Sequence, residues 1–259
     1  MISRSTVIRE QRWIRSGGVR CLVVVDTPTR QPARGALCFA HGLTGDRVGP
    51  TELLSRLAAE LCEAAGIRVV RFDARGSGDS EGKFEDTTFA SMTEDFTRVA
   101  LDTCPRDTPL ICAGISIGGV PAVLAAEQLR TLDGPRPVGV LLLSSDLIQD
   151  VRFVTEEITP IREGEFHLPD TFFRERETIR PRDILLSTGL PFALVYGDAD
   201  SKVATQAAWF HARGGKVASL ASDHLFENPS ARRALFDFGL DFVNETLAMS
   251  RHPVEDLER

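Results

Sequence analysis

The chain has 259 residues, 42% of them hydrophobic and 26% charged, with a formal net charge of −7 at pH 7. That balance excludes a disordered chain, offers no apolar run near the ~18 residues of a bilayer span, and argues against a nucleic-acid partner, which would call for a basic face. The length suits one α/β domain carrying an insertion. The amino-terminal stretch MISRSTVIREQRW mixes charges with apolar residues and lacks a continuous signal-type apolar segment, so the expected location is cytoplasmic. Five cysteines, Cys21, Cys38, Cys62, Cys104 and Cys112, form no C-x-x-C pair and sit mostly in apolar segments, the pattern of buried free thiols.

Val- and Ile-rich runs at 7–14 and 19–25, split by Ser16-Gly17-Gly18, predict an opening β-hairpin. After a loop with Pro28, Pro32 and Gly35, short apolar runs at 36–40, 67–72, 109–113, 138–143, 191–196 and 216–220 read as strands. Between them, apolar residues at three- and four-residue spacing predict helices over 51–65, 88–103, 117–131, 201–213 and 230–248. This alternation is the pattern of βαβ units and a mostly parallel sheet flanked by helices. The stretch 144–190 breaks the rhythm: it is charge-rich, carries Pro160, Pro169 and Pro181, and is expected to form a cap over 146–189 inserted into a core of 1–145 and 190–259. Arg174-Glu175-Arg176-Glu177 reads as a solvated helical face.

Gly114-Ile115-Ser116-Ile117-Gly118 fits G-x-S-x-G between a buried strand and an amphipathic helix. In that context the turn is tight enough to need small residues, and it lifts the serine hydroxyl above the sheet beside the positive end of a helix. The blander alternative is a serine in the first turn of a helix. His41-Gly42-Leu43-Thr44-Gly45 follows the strand ALCFA. Acyl transfer needs backbone N–H donors aimed at the developing oxyanion, one after the nucleophile and one from such an earlier loop; here these are Ile117 and Leu43.

Two further loops leave carboxyl ends of predicted strands, where open α/β sheets gather catalytic groups. Gly197-Asp198-Ala199-Asp200 supplies an acid, Asp200, with Asp198 and Asp146 as alternatives that would otherwise serve turns and caps. Asp223-His224 supplies a histidine and completes the chain order Ser, Asp, His. Of the other histidines, His41 falls in the oxyanion loop, His167 in the cap, His211 in a helix and His252 in the tail. Arg75-Gly76-Ser77-Gly78 lacks the remaining signatures of a phosphate loop and reads as a tight loop at a strand end.

Taken together, HGLTG, RFDARGSGDSEGKFED, GISIGG, YGDADSKV and SDHLFENP resemble the α/β-hydrolase superfamily over residues 35–245, close to the feruloyl and cinnamoyl esterases and the serine-aminopeptidase-like relatives. The resemblance implies the α/β-hydrolase fold, a Ser116, Asp200 and His224 triad, and oxyanion donors at Leu43 and Ile117. Relatives commonly carry histidine before the nucleophile and glutamine or methionine after it; isoleucine at both places makes the pocket floor more apolar. The cap carries no motif tied to a substrate, so feruloyl specificity is not implied. Phe153, Phe166, His167, Phe172 and Phe173 are its candidate substrate-binding residues, aromatic side chains that otherwise pack a cap onto its core.

The expected activity is hydrolysis of a carboxylic ester through an acyl-enzyme. An acyltransferase or thioesterase would use the same groups; a carbon–carbon bond hydrolase and a non-catalytic binding protein are more distant alternatives. No metal or organic cofactor is expected, since no HExxH, paired cysteines or carboxylate cluster occurs. The expected partner is a small-molecule ester or acyl substrate, and the sequence leaves a homo-oligomer open.

Overall fold

The computed structural model describes residues 6–147 and 158–251. The hairpin β1 (Val7–Ser16) and β2 (Val19–Pro28) turns on Gly17 and Gly18, at φ 54° and 86°. Two consecutive positive φ angles define a two-residue turn whose twist matches the strands, which is why two glycines stand there. Then follow β3 (Ala36–Ala40), α1 (Leu53–Ala65), β4 (Arg68–Phe72), α2 (Phe89–Thr103), β5 (Pro109–Ile115), α3 (Gly119–Leu129) and β6 (Arg136–Leu143). An insertion contributes β7 (Ile158–Ile161), β8 (Phe166–Pro169), α4 (Asp170–Thr178) and α5 (Pro181–Thr188). The chain closes with β9 (Phe192–Gly197), α6 (Ser201–His211), β10 (Lys216–Leu220) and α7 (Pro229–Arg251).

Eight strands form one sheet in the order β1-β2-β4-β3-β5-β6-β9-β10. The β1–β2 and β2–β4 pairs are antiparallel and all others parallel. β3, β5, β6, β9 and β10 are consecutive neighbours, so their carboxyl ends open onto one stretch of sheet edge. Fully buried parallel strands need apolar residues on both faces. One face packs Phe72, Val70 and Leu142 under α2, α3 and α6 through Phe96, Val123 and Phe210. The other packs Leu37, Val69 and Leu141 under α1 and α7 through Leu61, Leu235 and Val243. α2 starts on a reciprocal cap between Thr88 and Ser91.

Inside the stretch expected as a cap, the described residues form two short strands and two α-helices. β7 pairs β8 antiparallel, α4 lies on α2, and α5 packs on α3, with Leu185 fully buried. Phe172 stacks on Phe89 at 4.7 Å and Phe166 tilts against Phe84 at 5.0 Å. The run 174–177 is helical as expected, but it is not simply solvated. Glu175 accepts the Ala90 N–H at 3.0 Å, and Arg176 reaches Asp146 at 3.4 Å. Phe153 and His252 lie outside the described residues. Among the described residues no helix is long and apolar enough to cross a membrane.

Candidate active site

β5 ends at Ile115, and Ser116 turns the chain at φ 54° into a short 3₁₀ turn (Ser116–Gly118) that leads into α3. A non-glycine residue in this region carries roughly 1–3 kcal/mol of strain, held only because the surroundings over-determine it. The glycines explain how. A Cβ at Gly114 would stand 2.2 Å from the Gly118 carbonyl oxygen, and one at Gly118 would stand 2.4 Å from that of His41. At Gly119 it would meet the Ser145 hydroxyl at 2.4 Å. The turn closes onto itself and onto the ends of β3 and β6, and only hydrogen fits at those points.

Asp200 follows β9 and caps α6: its Oδ1 accepts the Val203 N–H at 3.2 Å. Its Oδ2 lies 2.5 Å from His224 Nδ1, and His224 Nε2 lies 2.9 Å from Ser116 Oγ. The Asp200 side chain is 8% exposed and that of His224 41%. The two loops meet at Gly197, where a Cβ would stand 2.1 Å from the Asp223 carbonyl oxygen. Asp223 itself faces away from this chain of groups, accepting the Glu227 N–H at 2.9 Å, which holds its carboxyl below the ordinary value. Asp198 accepts the Ser222 N–H at 3.2 Å, a loop contact.

The HGLTG loop leaves β3 beside the serine. A Cβ at Gly42 would stand 3.4 Å from the Ser116 Cβ, and the Leu43 peptide follows immediately. Two anchors fix this loop to the end of β4. His41 accepts the Ala74 N–H on Nε2 at 3.0 Å and donates from Nδ1 to the Gly42 carbonyl at 2.8 Å. Farther along, the fully buried Asp73 accepts the Arg47 N–H at 2.7 Å and, on its other oxygen, the Arg47 guanidinium and the Asp79 N–H. The RGSG segment is a strand-end loop, as expected: Gly76 and Gly78 take φ 75° and 52°, and a Cβ at Gly78 would collide with the Asp73 carboxylate. The Asp73–Arg47 anchor escaped the sequence reading, although FDARGSGDS placed the acid at a strand end.

A cleft of about 290 Å³ is walled by Leu43, Leu54, Ile115 and Leu225, of which Ile115 precedes Ser116 and Leu225 follows His224 in the chain. Among the described residues, the one insertion residue on its lining is Arg162, which the sequence reading did not single out. Phe166, His167, Phe172 and Phe173 are not on that lining; Phe172 is buried and Phe173 packs edge-on against it at 5.4 Å. Asp146 lies away from His224: its carboxylate takes the Gln206 amide at 2.9 Å, Lys202 at 2.8 Å and Arg176 at 3.4 Å.

A serine at a strained strand-to-helix turn, over a mostly parallel sheet and facing a histidine and an acid from later strands, defines an α/β hydrolase. Solved structures bear out the fold. The chain superposes on Est1E from Butyrivibrio proteoclasticus with ferulic acid bound, at TM-score 0.77 and 21% identity, covering 92% of this chain and 99% of that one. Alpha/beta hydrolase domain-containing protein 10 from mouse gives TM-score 0.69 at 17% identity, over 91% and 99%. The esterase domain of a Rhodothermus marinus protein gives 0.67 at 17%, over 93% and 99%. The family model described as serine aminopeptidase, S33, matches residues 31–174, more than half of the chain, and the protein belongs to that hydrolase family. No curated protein sequence matches it.

Proposed function

We propose that the protein is a serine hydrolase that cleaves a carboxylic ester through an acyl-enzyme. The observation that carries this reading is the unbroken hydrogen-bonded series Asp200, His224, Ser116, at 2.5 and 2.9 Å. His224 Nε2 takes the Ser116 proton as Oγ attacks the ester carbonyl, and Asp200 orients the ring and stabilises the imidazolium that forms. The Leu43 and Ile117 N–H groups bind the oxyanion, a donor of this kind being worth about 3–4 kcal/mol in the transition state. His224 then protonates the departing alkoxide. Water, deprotonated by the same ring, attacks the acyl-enzyme and releases the acid and free Ser116.

In this reading β7, β8 and α4 form the cap over the site, while α5, packed on α3, supplies the crossover between β6 and β9. Phe166, Phe172 and Phe173 seat the cap, and the substrate lies against Leu43, Leu54, Ile115 and Leu225. The test is hydrolysis of a p-nitrophenyl ester series and fluorophosphonate labelling by the wild type and Ser116→Ala. Turnover and labelling that both vanish in the variant are expected. Labelling that persists in Ser116→Ala would overturn the assignment of the nucleophile.

A further inference from the structure

Arg162 stands at the tip of the β7–β8 hairpin, where three consecutive residues, Arg162, Glu163 and Gly164, hold φ of 51°, 57° and 89°. Two of them are not glycine, so the tip is strained, and strain of this kind persists where the surrounding structure enforces it. Its effect is to bring one cap side chain to the cleft beside the HGLTG loop. Most arginines at the carboxyl edge of the sheet are matched: Arg47 with Asp73 and Asp79, Arg75 with Glu94 and Asp95, Arg176 with Asp146. The Arg162 guanidinium, by contrast, makes no hydrogen bond or ion pair among the described residues, and its chain neighbours Glu163 and Glu165 do not pair with it.

The other charged residue on the cleft, Asp46, turns its Oδ1 to the Val48 and Gly49 N–H groups at 2.7 and 3.1 Å, closing its own turn. The cleft therefore combines apolar walls next to the serine with one unmatched cation at its outer rim, on a protein whose net charge is −7. An unmatched guanidinium with a planar fork of donors is suited to a carboxylate, which it binds through two parallel hydrogen bonds. At about 290 Å³ the cleft sits at the small end of the roughly 300–1,000 Å³ span of ligand sites, which fits a short acyl chain.

We propose that the cleft binds an acyl group whose far end carries a carboxylate, with Arg162 as the residue that selects it. The inference rests on the serine-hydrolase reading for its chemistry but not for its binding, and the two can fail separately. Wild type, Arg162→Gln and Arg162→Lys are compared on mono-p-nitrophenyl glutarate and on its neutral methyl ester, and the readout is the ratio of kcat/KM for acid over neutral ester. The ratio is expected to fall by about fivefold in Arg162→Gln, the size of an exposed charge pair, to recover in part in Arg162→Lys, and to shrink with added salt in the wild type and Arg162→Lys but not in Arg162→Gln. A ratio that the glutamine variant leaves unchanged, or a proportionate loss on both esters, overturns the proposal.

Binding of monomethyl glutarate to Ser116→Ala, with and without Arg162→Gln, is measured by calorimetry in parallel. If neither ester turns over but binding is Arg162-dependent, the carboxylate site stands and the hydrolase reading falls. If binding is absent or indifferent to Arg162, the site falls whatever the esters do.

Discussion

Gly197 stands where the loops carrying Asp200 and His224 come closest, and replacing it with alanine separates them. The new Cβ would lie 2.1 Å from the Asp223 carbonyl oxygen and 2.4 Å from that of Ser222. Both are backbone atoms that cannot rotate away, so one loop must retreat by about 1 Å, a displacement that costs on the order of 100-fold in rate when it falls on reacting groups. The series at stake starts at 2.5 Å and 2.9 Å, so a retreat of this size takes at least one contact beyond hydrogen-bond range. Overpacking adds about 1–3 kcal/mol of destabilisation, which for a chain of this size lowers Tm by about 2–4 °C per kcal/mol. The assay is the second-order rate of fluorophosphonate labelling beside a thermal melt. Gly214→Ala is the control, because Gly214 takes φ 78° and a Cβ there would meet nothing within 4 Å; it should lower Tm through backbone strain of about 1 kcal/mol and leave labelling alone. Gly197→Ala that labels at the wild-type rate with wild-type Tm would refute the reasoning.

Asp200→Asn should slow labelling by about 10³–10⁴-fold with little change in Tm, since asparagine caps a helix as well as aspartate; labelling lost instead in Asp146→Asn would move the acid's role there. Asp73→Asn removes the charge that faces Arg47 from a fully buried position and should cost about 3 kcal/mol by urea unfolding, a loss under about 1 kcal/mol contradicting the anchor. Burial pushes the thiols up, Cys21 and Cys62 to about 12 and Cys104 to about 11, so iodoacetamide at pH 8 should modify the five buried cysteines only in denaturant. The folded state then holds protons that the unfolded chain releases near pH 9, so this contribution to stability is complete below that pH and is lost as pH rises towards 12. A Tm that does not fall between pH 8 and pH 10.5 would contradict it.

The parallel part of the sheet was legible because its strands are short runs rich in apolar residues and bounded by turn residues, and the loops that carry Ser116, Asp200 and His224 each begin where such a run ends. The glycines around Ser116 were legible as a pattern, but their reasons are spatial: Gly118 is small because of His41, and Gly119 because of Ser145, residues far away in the sequence. The insertion resisted reading for a local reason. β7 is ITPI and β8 is FHLP, each with a proline that argues against a strand in sequence, and both are tolerated because the hairpin has only two strands and every strand is an edge. α4 carries one fully buried side chain, Phe172, so its helical period left little apolar signal to detect.

The choice among acids shows what strand order contributes beyond motif. β6 lies between β5 and β9 in the sheet, so an acid after β6, such as Asp146, enters the same edge as one after β9, and a place at a strand end alone leaves both open. Local backbone decides where each goes. Ser144 leaves β6 at φ 42°, and Asp146 then meets Lys202, Arg176 and the Gln206 amide. A carboxylate so matched would have to surrender two cations before it could serve an imidazole. Asp200 instead divides its oxygens between the first turn of α6 and His224, so the contact that begins the helix also fixes the orientation of the acid. The same cations tie Asp146 to α4 of the insertion and to α6, which begins just after Asp200. The rejected acid thus joins the cap to the helix that the proposed catalytic acid starts, and weakening it should loosen the cap before it disturbs the hydrogen bonds to His224.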